Sequence, residues 1–223
     1  MDYTAHYQSP LGGITLASNG TALVGLWFDG QKHFAEILDN EYEKREDLPI
    51  FNETKKWLDI YFKGYAPDFT PPLLPRWEKL PPLKPPPTGK ATGAWASSPA
   101  GLTVGVRPGN QAFPRQGKGV SGNFFFRKRV WEVLLTIPFG HTMTYGDIAR
   151  IIANEQGVKT MSAQAVGGAV AHNSIAIIIP CHRVVGANGS LTGYAGGIDK
   201  KKYLLEMEKA SMFQPFYIPK GDK

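Results

Sequence analysis

One cysteine, Cys181, stands in 223 residues. That excludes an intramolecular disulfide and any zinc site built from several cysteines, and it fits a reducing compartment. Long hydrophobic runs are missing too, for no stretch approaches the roughly eighteen apolar residues of a membrane span. Residues 1–6 have neither the basic leader nor the apolar stretch of a secretory signal. Acidic residues are scarce where basic ones gather. From Arg76 to Arg129 one acid, Glu78, faces ten lysines and arginines, so this stretch carries +9 against a net +6 for the whole chain, and the remainder about −3. A surface of that sign suits a polyanion such as nucleic acid, although solubility alone explains many basic stretches.

The first seventy residues read as a small α/β domain. Residues 3–7, 13–17 and 23–28 have strand composition, and Ser18-Asn19-Gly20 is a turn signal. Residues 31–49 are charged and weakly patterned. A helix is expected over residues 51–65, with Trp57, Leu58, Tyr61 and Phe62 on its inner face, Asn52 or Thr54 as cap and Gly64 as its end. Residues 71–125 then change character. Pro71-Pro72, Pro81-Pro82 and Pro85-Pro86-Pro87 cannot sit inside helices or central strands, so a linker or long surface loop is expected. Residues 102–106 read as a short strand within it.

Regular structure resumes at Phe126 with a helix carrying Val130, Trp131, Val133, Leu134 and Leu135 inward. Thr144 caps a second helix, with Asp147 in the reciprocal position. A turn over 154–159 leads to a third helix at 162–171, and the pair resembles a helix-turn-helix. Gly167-Gly168 in that helix call for a close approach, by the protein's own core or by a DNA backbone. Residues 175–179 are an apolar run expected to form a buried strand ending at Pro180, which presents Cys181 at the rim of the core. A lone cysteine is more often packing than chemistry. Here His182 stands beside it and a glutamate comes later on a final helix that Asp199 can cap, so a Cys-His-Glu relay is available, bridged by water because neighbours on an extended chain point apart. Residue types alone leave a cysteine hydrolase equally open. Residues 213–223 read as a tail.

Ile-Pro-Cys-His-Arg-Val at 179–184, with Asn173 upstream and Gly193-Tyr194-x-Gly196-Gly197 downstream, resembles the O6-alkylguanine-DNA alkyltransferases, the methylated-DNA–protein-cysteine methyltransferases. The likeness runs from about residue 126 to 210 and more weakly over 3–70. It implies an α/β N-terminal domain of ribonuclease-H-like topology and a mostly α-helical, winged-helix-like C-terminal domain (126–212) with a helix-turn-helix. The implied activity is a single, irreversible transfer of an alkyl group from O6 of guanine to Cys181, in double-stranded DNA and without metal or cofactor. The resemblance makes His182 the water-mediated base and Glu208, not Glu206, its orienting carboxylate. Asn173 ties the recognition helix to the active-site segment, and Tyr145 faces the guanine and helps protonate it. Tyr194, Ala195, Gly193 and Gly196 line the alkyl pocket. Gln164, Ser162, Ala163, Thr144 and Arg183 form the DNA-facing set, Arg183 in a mainly structural capacity. A monomer is expected, in the cytoplasm or nucleoid, or in a nucleus if the source has one.

Three departures stand out. Gln164 occupies the place where many relatives carry a base-replacing arginine. The cysteines that bind structural zinc in some members are missing. An insertion of about residues 76–122 replaces a shorter connection; it can wrap DNA, cover the pocket or have no role. Two other classes compete with transfer: a non-catalytic damage-sensing DNA-binding protein and a multiple-turnover cysteine hydrolase.

Overall fold

The computed structural model describes residues 1–39, 41–81, 83 and 121–210. The expected strand at 102–106, most of the insertion and the tail from residue 213 lie outside the described residues.

The N-terminal half is a four-stranded sheet: β1 (Asp2–Ser9), β2 (Gly12–Ser18), β3 (Leu23–Phe28) and β4 (Tyr42–Lys44), in the order β3-β2-β1-β4. The first three pair antiparallel, and β4, which weak patterning hid, joins β1 in parallel. Asn19 makes the expected turn, its Oδ1 accepting the amides of Thr21 and Ala22. Helix α1 (Pro49–Phe62) covers the sheet and buries Phe51, Trp57, Leu58 and Tyr61. Neither Asn52 nor Thr54 caps it. Leu48 is the cap residue, Pro49 opens the helix with a φ already suited to it, and Thr54 Oγ1 instead donates to Ile50 O at 2.8 Å.

The start of the Pro-rich stretch is structured. Leu73 bridges the outer edge of β3 at Leu23, where a proline neighbour costs no ladder bond. Arg76 donates to both oxygens of Asp2, a carboxylate buried in the sheet. Trp77 packs on Trp131 and edge-on against Phe124, with centroids 6.0 and 5.7 Å apart. Helix α2 (Ser121–Leu135) therefore begins five residues before the expected start at 126, because Phe124 finds an aromatic partner outside its own helix.

The C-terminal half adds α3 (Tyr145–Gln156), α4 (Ala163–Ala171) and α5 (Ile198–Met207), with a short parallel pair, β5 (Met143–Thr144) and β6 (Val184–Val185). Thr144 and Asp147 close the expected capping box, and Gly157 ends α3 in the left-handed region at φ 65°. Ser162 caps α4. The close approach at Gly168 is internal, since a Cβ there would stand 3.3 Å from Leu83. Asp199 lies in the first turn of α5, whose cap position belongs to Gly197. Among the described residues no helix is long and apolar enough to cross a membrane.

The two halves share one core and one seam. Leu26 of β3 accepts from Ala176 N (2.9 Å) and donates to Ser174 O (2.8 Å), so the chain just before the cysteine is stitched to the free edge of the N-terminal sheet. That seam sets the position of the turn that carries Cys181.

Candidate active site

The apolar run 175–179 is not a strand. After Ile175 touches β3 the backbone folds into consecutive turns, with Ile178 N donating to Ala176 O and Cys181 N to Ile179 O, both at 2.8 Å. Ile177 sits at φ 69°, a left-handed conformation that a β-branched residue adopts at a cost of about 1–3 kcal/mol. Asn173 supplies what a partner strand would have. Its Oδ1 accepts Ile175 N (3.0 Å), and its Nδ2 donates to Ile179 O (2.8 Å) and to Cys181 Sγ (3.0 Å). The expected tie between recognition helix and cysteine is thus an amide that both holds the turn and touches the sulfur.

Cys181, His182 and Arg183 form one turn of 3-10 helix, all buried. Burial pushes the Cys181 thiol above its ordinary range, opposed by the Asn173 amide and the charge of Lys201. His182 is fully buried. Its Nε2 lies 2.8 Å from Glu208 Oε1 and 3.2 Å from the Tyr61 hydroxyl. A carboxylate only accepts, so Nε2 carries the proton and Nδ1 keeps a lone pair. Among the described residues Nδ1 has no partner. Burial holds the imidazole below its ordinary range, leaving it neutral and able to accept a proton.

Glu208 is the hub, and Glu206 is an outward-facing residue whose carboxylate lies 3.8 Å from Lys202. The Glu208 carboxylate accepts from His182, Tyr61 (2.6 Å), Arg183 Nε and NH2 (2.9 and 3.1 Å) and Gly140 N (3.0 Å). Burial works against its charge, yet the bonds from His182 and Arg183 hold it well below the usual carboxylate range. Gly140 is required here: its φ is 74°, and a Cβ would stand 2.9 Å from Glu208 O. Arg183 gives its guanidinium to Glu208 and to Ile137 O (2.6 Å), which removes it from the DNA-facing set. Thr144 is likewise occupied, its hydroxyl donating to Asp147 Oδ2 at 2.7 Å. Ala163 and Gln164 are exposed on the first turn of α4, next to the cap Ser162.

A small recess adjoins the sulfur, lined by Cys181, Asn173, Gly193, Tyr194, Ala195 and Gly196 among others. The four expected pocket residues therefore come together at the cysteine. Tyr145 reaches the same loop, its hydroxyl donating to Thr192 O (3.2 Å) and Gly193 O (3.4 Å). Burial pushes that phenol up to about 12.

Sequence reasoning missed three members of this site. Tyr61 was legible only as a core position of α1, yet its hydroxyl carries the N-terminal domain into the relay. Lys201 is buried on α5 and donates to Thr192 O at 3.0 Å. Its signal was present: Lys201, Leu204, Leu205 and Glu208 recur at i, i+3, i+4 and i+7, a core stripe that holds two charges. Gln31, in an unpatterned loop, lines the recess. Tyr61→Phe deletes a hydrogen bond to a buried carboxylate and is expected to cost about 1.5–3 kcal/mol of stability. Urea denaturation checks this, and an unmoved midpoint would deny the hydroxyl that role.

Residues 125–210 match the family described as "6-O-methylguanine DNA methyltransferase, DNA binding domain", and residues 3–75 match its "ribonuclease-like domain". A methylated-DNA–protein-cysteine methyltransferase of Methanosarcina acetivorans is 34% identical over 206 residues, 92% of this chain and 97% of its own. One from Methanosarcina mazei is 52% identical over 205 residues, covering 92% and 96%. The crystal structure of Mycobacterium tuberculosis OGT in complex with DNA superposes with a TM-score of 0.60 at 32% identity, over 93% of both chains.

Proposed function

Because this chain belongs to the O6-methylguanine-DNA methyltransferase family, it binds DNA and repairs it by moving an alkyl group from O6 of guanine to a cysteine, and we propose that Cys181, served by His182, Glu208, Asn173, Tyr145 and Lys201, performs the transfer once per molecule. The observation that carries this assignment is a pair of buried contacts on one turn, Asn173 to the Cys181 sulfur and His182 to Glu208. Asn173 fixes Cys181, the lone pair of His182 Nδ1 is left to take a proton, and Glu208 holds the opposite nitrogen.

A water between Cys181 and His182 Nδ1 relays the thiol proton to the imidazole. The thiolate attacks the alkyl carbon, the C–S bond forms as the C–O6 bond breaks, and the electron pair of that bond passes into the guanine ring. The proton lost by the thiol ends on the base, which leaves as neutral guanine. A phenol pushed up to about 12 holds its proton, so Tyr145 contributes a hydrogen bond to the charge developing on the ring. The thioether has no leaving group to reverse the step, which limits each chain to one turnover.

Ala163 and Gln164 at the exposed first turn of α4 are positioned to meet the duplex, where amides at a helix N-terminus attract phosphate. Gln164 wedges without adding charge, so replacing the extruded base, which costs a few kcal/mol, rests on packing and hydrogen bonds there. The partner proposed is duplex DNA carrying O6-alkylguanine, and the working unit proposed is a monomer.

Intact-mass spectrometry after mixing with O6-methylguanine duplex is expected to show one methyl added per chain, in a burst that stops at one equivalent. An unmodified chain that binds the duplex would favour damage sensing. A chain that returns to its starting mass would favour hydrolysis.

A further inference from the structure

The recess above the sulfur has walls from both halves of the molecule. From the C-terminal half come small residues, Ala171, Ala176, Ala195 and the loop glycines, together with Tyr194 and Asn173. From the N-terminal half comes Gln31. It is reached from β3 through a turn at Gly30, whose φ is 71°. Its amide donates to Phe28 O (3.1 Å), and its side-chain Oε1 accepts Phe28 N (3.0 Å). The side chain is thereby locked across its own turn and buried.

The surrounding loop fixes that wall against the pocket. Lys32 N donates to Ala195 O at 3.0 Å. Phe28 lies against Gly196, where a Cβ would stand 3.0 Å from its ring and 2.9 Å from that of Tyr194. Farther along, the His33 ring packs tilted against that of His172, with centroids 4.3 Å apart, one residue before Asn173. The β3–β4 loop therefore grips the recess on two sides.

We infer that Gln31 is a specificity-determining residue for the transferred group: its side chain closes the end of the recess and sets the largest alkyl that fits beside Cys181. The remaining long side chains of the recess are committed elsewhere. Asn173 makes three hydrogen bonds that hold the active-site turn, and the Tyr194 ring is wedged against Gly196. Among the described residues the Gln31 side chain makes one hydrogen bond, to the adjoining end of β3 at Phe28 N. Its length can change without touching sulfur, imidazole or carboxylate. One methylene more or less in an apolar pocket discriminates by about 10- to 200-fold.

The test compares single-turnover rates on the same duplex carrying O6-methylguanine or O6-benzylguanine, read by intact mass for the full chain, Gln31→Ala and Gln31→Met. Gln31→Ala is expected to raise the benzyl-to-methyl rate ratio roughly tenfold. Gln31→Met, which keeps the length and loses the bond to Phe28, is expected to leave the ratio within about twofold of the parent. The ratio is taken within one protein, so a partly unfolded variant still reports. An unchanged or lowered ratio in Gln31→Ala overturns the inference, as does an equal rise in Gln31→Met, which would assign the effect to the turn. The inference rests on Cys181 as acceptor; methyl transfer by the parent chain distinguishes its failure from failure of that assignment.

Discussion

Cys181→Ser is expected to fold, to bind damaged duplex and to acquire no alkyl mass. Burial already raises the Cys181 thiol, and the site opposes this with the Asn173 amide, the charge of Lys201 and the backbone amides of the turn. A serine hydroxyl ionises far less readily than a thiol, and the same offset does not yield an alkoxide. The proton relay through His182 would remain, but with no sulfur to release. The fold should tolerate the change, because a serine oxygen can accept the Asn173 Nδ2 bond now made to sulfur and leave the turn at 173–181 intact. Stability is expected to stay within about 1 kcal/mol of the parent. Duplex affinity should be retained, since Ala163 and Gln164 on α4 are untouched. Intact mass, a denaturation curve and a binding titration together check this. Alkylation of the serine variant would move the acceptor to another residue, and loss of duplex binding would make the sulfur part of recognition.

Much of this site was legible before the structure, and the reason is local. The cysteine, histidine, arginine and Asn173 lie within eleven positions, and their spacing is read directly from the chain. The capping box at Thr144 is equally local, so the helix start there was fixed by a neighbour three residues away, while Ser162, expected inside its helix, proves to be the cap. Misreadings arose where distant contacts override local preference. Residues 175–179 have strand composition, but Asn173 and Leu26 hold them as turns, and no pattern of apolar residues reports that. Arg183 was expected in a mainly structural capacity, but its partners, Glu208 and Ile137, are brought to it only by the fold. Tyr61 and Gln31 belong to the other half of the chain. Their arrival at the cysteine depends on the seam along β3, which joins Leu26 to Ile175 across most of the sequence and leaves no periodic trace.

That seam also brings the N-terminal half to the cysteine. It contributes a hydroxyl to the Glu208 hub through α1 and a wall to the recess through the β3–β4 loop. The hub itself is close to electrically balanced. Glu208 is matched by Arg183, and His182 is neutral, so these groups bring no net positive charge to the sulfur.

The charge that balances the thiolate is then Lys201, and its replacement by methionine is expected to slow transfer by on the order of 10²-fold. Lys201 is fully buried, donates to Thr192 O at 3.0 Å and lies 5.9 Å from the centre of the Tyr145 ring. Burial lowers its pKa to about 8, and the attraction of a charged Cys181 pulls the other way. These opposing shifts fix the sign of the pH dependence. As pH rises through about 8 the ammonium is lost, while the thiol, raised above its ordinary range, has not yet ionised by itself. Between those two points the site loses its cation and gains no thiolate, so the rate should fall on the alkaline side. On the acid side the lowered His182 stays neutral below the ordinary histidine range, and activity should persist there. Lys201→Arg keeps a positive charge throughout this range, and its rate should show no decline near pH 8. Single-turnover rates for the parent, Lys201→Met and Lys201→Arg, taken from about two pH units below that point to about one and a half above it, decide the matter. A methionine variant within about threefold of the parent, or a parent profile without an alkaline decline, would show that the thiolate draws its stabilisation from elsewhere.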